Sequence, residues 1–323
     1  MARDRPLNST LVLGGSLLVL PLLLAFIRPP YDPAVQLDPG SSRHRAPGTV
    51  LWEVHMEGER RLLADSFKEV PGGLQLVRRG QEEQVAVGPE AVTGYRRFLL
   101  GTDQLGRDVY SRMIVGARIS LLIGLLSVSL AMLVGVVVGA LAALGGSLVD
   151  SLLMRAVDAL MSFPQLFLII AMAAIFEPST VVVILFVGCT SWMRIARLTR
   201  AEILGLRDRD FVLASRVIGQ HPVKVFFLHL LPNALTPLVV EGTLMVGDVI
   251  LVEAALSFFG FGVQPPTPSW GSMINDGRDA LGDAWWVALF PGLAIVLTVV
   301  AFNLLGDGLR DWLDPKARRQ VSI

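Results

Sequence analysis

Lysine and cysteine are nearly missing from this chain, and each gap excludes some chemistry. Only Lys68, Lys224 and Lys316 occur, and they follow Phe67, Val223 and Pro315. A phosphate-cradling loop, whose lysine must follow a glycine, therefore has no place here. Neither G-x-S-x-G nor H-E-x-x-H is present, so two common hydrolase signatures are absent too. The single cysteine, Cys189, lies inside an apolar run, which rules out an intramolecular disulfide and a thiolate metal cluster. His44, His55, His221 and His229 show no paired ligand spacing, so neither a metal site nor any other cofactor site is expected. Charge is sparse as well. It falls on 17% of residues and sums to zero, where a soluble domain averages about a quarter charged. A nucleic-acid binder, which gains affinity by neutralising phosphates, is not expected.

What is present is apolar: 53% of residues are hydrophobic and mean hydropathy is +0.58. That composition belongs to a protein of the lipid bilayer. After Arg3 and Arg5, residues Leu11 to Ile27 form an apolar run. It reads as a cleaved signal peptide or as an uncleaved first span. Its length, and the IRPPYDP that follows without a small-residue cleavage site, favour the span. Further spans are expected at about Ile119–Leu144, Leu152–Ile175, Thr180–Ile195, Leu235–Phe259 and Val287–Leu305. Gly124, Gly135 and Gly139 should let the second span pack closely against neighbours. Pro164 should kink the third, and Glu177-Pro178 should turn the chain into the fourth.

Arginine and lysine sort the loops. None falls after the third span and only Arg278 after the fifth, whereas Arg194, Arg197, Arg200, Arg207, Arg209, Arg216 and Lys224 cluster after the fourth. Arg310, Lys316, Arg318 and Arg319 follow the sixth. The expectation is six transmembrane helices with both termini cytoplasmic. Between the first two spans, about Pro29 to Tyr95 is polar. Alternating runs at 50–54, 74–77 and 84–87, with turns at Gly72-Gly73 and Arg79-Gly80-Gln81, predict a small strand-rich insert on the outer face. It either meets an extracytoplasmic partner or is decorative. Thr102 or Asp103 should cap a surface helix that begins at Gln104. Trp270, Trp285 and Trp286 suit an interfacial aromatic belt.

Charged residues inside spans need partners or water. Arg155 and Asp158 stand three apart on the third span and are expected to pair as a structural couple. Glu241 and Asp248 share one face of the fifth span, while Glu253 points away. The first two either line a translocation pathway or pair with a polar or basic residue on a neighbouring helix.

The segment Arg194 to Pro232 is more than a connector. Phe211, Ala214, Val217 and Ile218 recur at helical spacing from Asp210 onward. Gly219 suits a left-handed helix end, Pro222 the first turn of a second helix, and Leu231-Pro232 should halt it. A bent helical pair between spans predicts a docking surface.

These residues carry a family resemblance. Leu213-Ala214-Ser215, Gly219, His229 and Leu231-Pro232 meet the spacing of the E-A-A, glycine, I-x-L-P loop motif of ABC importer permeases. With LGTDQLGRDVYSR, MSFPQLFL, HLLPN, EAALSFFGFG, PPTPSWG and FPGLAIVLTVVAFNLLGDGLRDWLDP, the chain resembles the C-type subunit of the dipeptide/oligopeptide permease family. The resemblance implies an all-α integral membrane protein of type I importer fold, with a strand-rich extracytoplasmic insert after helix 1. Its divisions would be 1–28 (tail and first helix), 29–99 (insert) and 100–323 (core, with an ATPase-docking loop at about 196–232). It implies a B-type permease partner, two ATP-binding subunits that hold ATP and Mg, and an extracytoplasmic substrate-binding protein that delivers peptide. Location would be the bacterial inner membrane. Docking would fall on Asp210, Leu213, Ala214, Ser215, Arg216, Gly219, Pro222 and Pro232. The motif's glutamate position is Leu213 and its second alanine position Ser215, so contact should lean on shape and on Asp210 or the arginines. Nickel or glutathione as cargo, or a secondary transporter using Glu241 and Asp248, are the alternatives; the latter should show internal inverted repeats, which are not evident.

Overall fold

A computed structural model describes residues 9–56, 61–177 and 179–313. The expectations for Arg3, Arg5, Pro178, Lys316, Arg318 and Arg319 lie outside the described residues. The chain divides into two compact units. One comprises residues up to 21, 121–256 and 295 onward; the other comprises 22–120 and 257–294.

Among the described residues, five helical stretches are long and apolar enough to cross a membrane: α1 (Ser9–Phe26), α3 (Val109–Leu144), α6 (Thr180–Arg207), Pro222–Phe258 and α11 (Trp286–Leu313). The expected third span is instead two helices, α4 (Gly146–Met161) and α5 (Gln165–Ala173), set 83° apart. Counting the bent pair as one span makes six. Pro164 does more than kink: it cannot donate to a preceding carbonyl, and it drives Phe163 out of helical geometry. At 1.5 Å per residue, neither piece alone spans the ~30 Å hydrocarbon core.

In the first unit, glycine sets where helices touch. A Cβ on Gly135 would lie 2.6 Å from Ile195, and one on Gly139 would lie 2.4 Å from the Ala196 carbonyl oxygen. So α3 and α6 meet backbone to backbone, as small residues permit in lipid. Gly14 of α1 and Gly308 of α11 are equally tight: a Cβ on Gly14 would lie 2.5 Å from the Leu305 backbone nitrogen, and one on Gly308 would lie 2.5 Å from that of Leu11.

The second unit holds the insert. A short helix, α2 (Pro39–Ser42), precedes β1 (Thr49–His55), β2 (Arg61–Ala64), β3 (Ser66–Val70), β4 (Gly73–Arg78), β5 (Gln81–Val85) and β6 (Val92–Phe98). They form two antiparallel three-stranded sheets, ordered β2-β1-β6 and β3-β4-β5. The β4–β5 turn places Arg79 and Gly80 at φ of 52° and 79°, the paired left-handed geometry that a tight hairpin needs. Alternate residues point inward, and Val54, Leu62, Leu74, Leu76 and Val85 make the core.

Two expectations in this unit fail. Helix α3 starts at Val109, and its cap is Asp108, whose Oδ2 accepts from the Ser111 amide at 2.8 Å and its hydroxyl at 2.6 Å. Thr102 and Asp103 belong to a preceding turn: Asp103 is pinned by Arg107 and Arg112, whose positions the turn geometry fixes. Asp103 Oδ2 lies 2.7 Å from Arg107 Nε and 2.6 Å from Arg112 Nη1, and both guanidiniums reach Asp276 at 2.9 and 2.8 Å. The two arginine side chains are 4% exposed, so this is a buried four-residue network. Of the tryptophans expected in the belt, Trp270, which opens α10 (Trp270–Gly277), and Trp286 are buried in protein, their indole N–H groups donating to the carbonyls of Met113 and Thr102 at 3.2 and 3.1 Å. Of these three, only Trp285 is exposed as an interfacial position requires.

Candidate functional site

Helix α6 does not end at the membrane boundary the hydropathy suggested. It runs on to Arg207, and after Asp208 and Arg209 the chain forms α7 (Asp210–Val217). Gly219 follows at φ +79°, with its N–H donating to the Arg216 carbonyl at 2.9 Å and the Gln220 N–H to the Ser215 carbonyl at 3.1 Å. That double bond pattern is a Schellman termination, and the left-handed residue in it is cheap only for glycine. Pro222 begins α8 (Pro222–Val225) behind His221.

The second helix does not halt at Leu231-Pro232. A π-helical turn, Phe226–Leu230, carries it into α9 (Leu231–Phe258). The wider turn relieves the clash that Pro232 would otherwise make with the carbonyl four residues before it. Asn233 Nδ2 donates to the His229 carbonyl at 2.7 Å, and the His229 ring packs edge-on to Phe211 and bonds Gln220 at 3.3 Å. His229, in the motif's isoleucine position, thus ties α7 to the turn.

Which face of α7 looks outward was not legible in its pattern. The buried residues are Val212, at 0%, and Ser215, at 4%. With Val225 and Leu230, Val212 packs on Ala140 and Ala143 of α3 and Ile203 of α6. Ser215 is therefore not on offer to a partner; it faces inward, its hydroxyl donating to the Val212 carbonyl at 2.7 Å. The stripe Phe211, Leu213, Ala214, Val217 and Ile218 is exposed, Val217 at 86% and Ile218 at 73%. Val223 on α8 is exposed as well, as are Arg209, Asp210, Arg216, Pro222, Lys224 and Pro232 in the same segment. An apolar patch with a polar rim on an otherwise packed segment is the physical form of a partner site.

The remaining basic residues of the island are claimed within the chain. Arg197 pairs with Asp158 of α4, and Arg200 Nη2 reaches Asp150 of α4 at 2.6 Å. The expected Arg155–Asp158 couple does not form, and Arg155 has no ion pair among the described residues. An i,i+3 pair contributes only a few tenths of a kcal/mol. A guanidinium already held beside Asp158 by helix packing loses less freedom on pairing. Arg194 is not a loop residue either. From within α6, its Nη1 lies 3.3 Å from Glu241 Oε1 and 3.1 Å from Asp248 Oδ2 on α9. One cation thus bridges two acids two turns apart, and Glu253 is fully buried elsewhere on the helix. Arg194 and Asp248 line a cavity of about 270 Å³ together with Gln165, Thr190 and Ser191.

Comparison with known proteins places this arrangement. Residues 135–319 match the family described as binding-protein-dependent transport system inner membrane component. The di/tripeptide transport system permease protein DppC of Pseudomonas aeruginosa is 47% identical over 225 residues, covering 70% of this chain and 74% of that protein. The dipeptide transport system permease protein DppC of Escherichia coli is 50% identical over 226 residues, covering 70% and 75%. A putative peptide transport system permease protein of Brucella abortus is 45% identical over 222 residues, covering 69% and 75%. Among solved structures, an inward-facing MetNI methionine ABC transporter chain aligns with a TM-score of 0.54 at 18% identity, covering 63% of this chain and 97% of that one; the likeness is one of fold.

Proposed function

The chain belongs to the family of binding-protein-dependent transport system inner membrane components, and on that membership we propose that it is the C-type transmembrane subunit of an ATP-driven importer of di- and oligopeptides. It is a permease, not the ATPase of its transporter. In our reading it pairs with a B-type permease, two ATPase subunits hold ATP and Mg beneath, and an extracytoplasmic binding protein delivers peptide from above. The relatives named for peptide transport support that cargo class. Both termini lie in the cytoplasm, residues 29–99 form the outer insert, and residues 100–323 form the permease core.

The observation that carries this reading is the outward apolar face of α7, stiffened by the Gly219 termination and fixed to α3 and α6 through Val212. A docked ATPase pair moves α7 as a rigid body, because the segment is packed below and capped at its end. The spans it is fixed to then rock about the central Arg194, Glu241 and Asp248 group, the alternating-access logic of transporters. Asp210 and Arg216 at the rim orient the contact, while Leu213 and Ala214 supply shape.

Site-specific crosslinking tests the docking. In a Cys189→Ser background, Ala214→Cys and Val217→Cys should each crosslink to an ATPase subunit in the assembled complex, whereas Leu148→Cys on α4 should not. Absence of adducts at both α7 positions, in a complex that still co-purifies with its ATPase, overturns the assignment.

A further inference from the structure

The cavity beside Arg194 is sorted by hydrogen-bond sense. Thr190 Oγ1 donates to the Phe186 carbonyl at 2.9 Å, and Ser191 Oγ donates to the Val187 carbonyl at 2.7 Å. Both hydroxyls have spent their protons on the helix, so each can only accept from Gln165. Gln165 Nε2 supplies those two bonds at 3.2 and 2.9 Å. The network therefore fixes the amide orientation. It also leaves Gln165 Oε1 as an acceptor without a protein partner among the described residues.

The charges point the same way. Glu241 and Asp248 carry two negative charges against the one positive charge of Arg194, whose Nη1 serves both acids. A net charge of one sign inside the bilayer cannot face lipid and calls for a counter-ion. Asp248 is the more exposed acid, at 55% of its side chain against 24% for Glu241, and it lines the cavity. At about 270 Å³, the space is slightly smaller than the usual ligand pocket, which runs from ~300 Å³ upward. It suits one end of a small molecule.

Spare acceptors and an excess negative charge in a small concave space fit a compact cation with several N–H donors. We propose that this cavity is a subsite for a primary ammonium group, the free amino terminus of peptide cargo, received by Asp248 and Gln165 Oε1. Arg194 is the resting counter-ion of the acid pair between cargoes. The assignment rests on the peptide-permease reading and adds to it a chemical selectivity within the permease, separate from that of the binding protein.

The test uses the assembled complex in lipid nanodiscs, without binding protein, titrated calorimetrically with alanyl-alanine and with N-acetyl-alanyl-alanine. Wild type should prefer the free amine. Asp248→Asn should weaken alanyl-alanine by about ten-fold, equivalent to ~1.4 kcal/mol, and leave the acetylated peptide unchanged. Asp248→Glu should retain most of the preference. If Asp248→Asn does not assemble, Gln165→Met carries the same discrimination with a smaller loss. Equal effects on both peptides, no effect on either, or no wild-type preference would overturn the subsite. ATP-driven uptake of alanyl-alanine by wild-type proteoliposomes with loaded binding protein separates the two claims. Uptake without amine discrimination sinks only the subsite; no uptake sinks the peptide-permease reading beneath it.

Discussion

The outward face of α7 permits a perturbation whose effects on fold and on assembly separate. Val217 and Ile218 are 86% and 73% exposed, so replacing them should leave the subunit's own stability within about 0.5 kcal/mol, as for most surface positions. On the proposed docking, the complex covers the same side chains. Fully burying a valine or isoleucine gains about 1.5–3 kcal/mol, so removing two of them forfeits roughly 3 kcal/mol or more. A carboxylate placed in the contact adds a desolvation cost. Val217→Asp with Ile218→Asp should therefore weaken ATPase-subunit binding at least a hundred-fold, since ~1.4 kcal/mol is ten-fold. Titrating fluorescent ATPase subunits onto the permease pair in nanodiscs measures this, with the subunit's thermal unfolding as control. Unchanged affinity, or lost affinity matched by lost thermal stability, refutes the claim that this face is the dock.

Other consequences follow from the packing. Gly139→Ala would set a Cβ 2.4 Å from the Ala196 carbonyl oxygen; the forced separation of α3 and α6 should cost about 1–3 kcal/mol, read as a lower midpoint in a thermal-shift assay, whereas Gly205→Ala, with open space around it, should not. Asp276→Ala leaves Arg107 and Arg112 sharing one acid in a site where their side chains are 4% exposed; a loss of roughly 1–3 kcal/mol is expected from the unsatisfied donors, with faster hydrogen exchange through the turn before α3. In the insert, the Arg96 hydrogen bond holds the Glu53 carboxyl below its ordinary value of 4.5. A depressed carboxyl stabilises the fold above the unfolded value and loses that contribution as pH falls through the folded one. Exchange at β1 and β6 should thus accelerate below about pH 4.5 in wild type, and Glu53→Gln should show faster exchange at neutral pH with a flatter acid dependence.

How much of this was legible in the sequence depended on how local the cause was. The Gly219 turn was readable because a left-handed residue followed by Pro222 is decided by a few backbone angles. The strands at 50–54 and 74–77 were readable because alternation registers over five or six residues. The outward face of α7 was not: Phe211, Ala214, Val217 and Ile218 have the spacing of a core stripe, and only the seating of Val212 on Ala140 and Ile203 turns that stripe outward. Arg194 looked like a loop cation because charge count ends a span in hydropathy, while its acids lie 47 and 54 residues further on. The burial of Arg107 and Arg112 depends on Asp276, and that of Trp270 on Met113, at separations above 150 residues. Sequence spacing carries no such pairing.

The central claim is that ATPase closure, delivered through α7, drives peptide through this subunit. The direct measurement is ATP-dependent uptake of labelled dipeptide into proteoliposomes of the complete complex, wild type beside Gly219→Pro. Proline cannot adopt the φ of +79° found there, so the termination of α7 is lost. The account predicts uptake that requires ATP in wild type, and ATP hydrolysis without uptake, or a complex without ATPase, in the variant. Full coupled uptake by Gly219→Pro would contradict it.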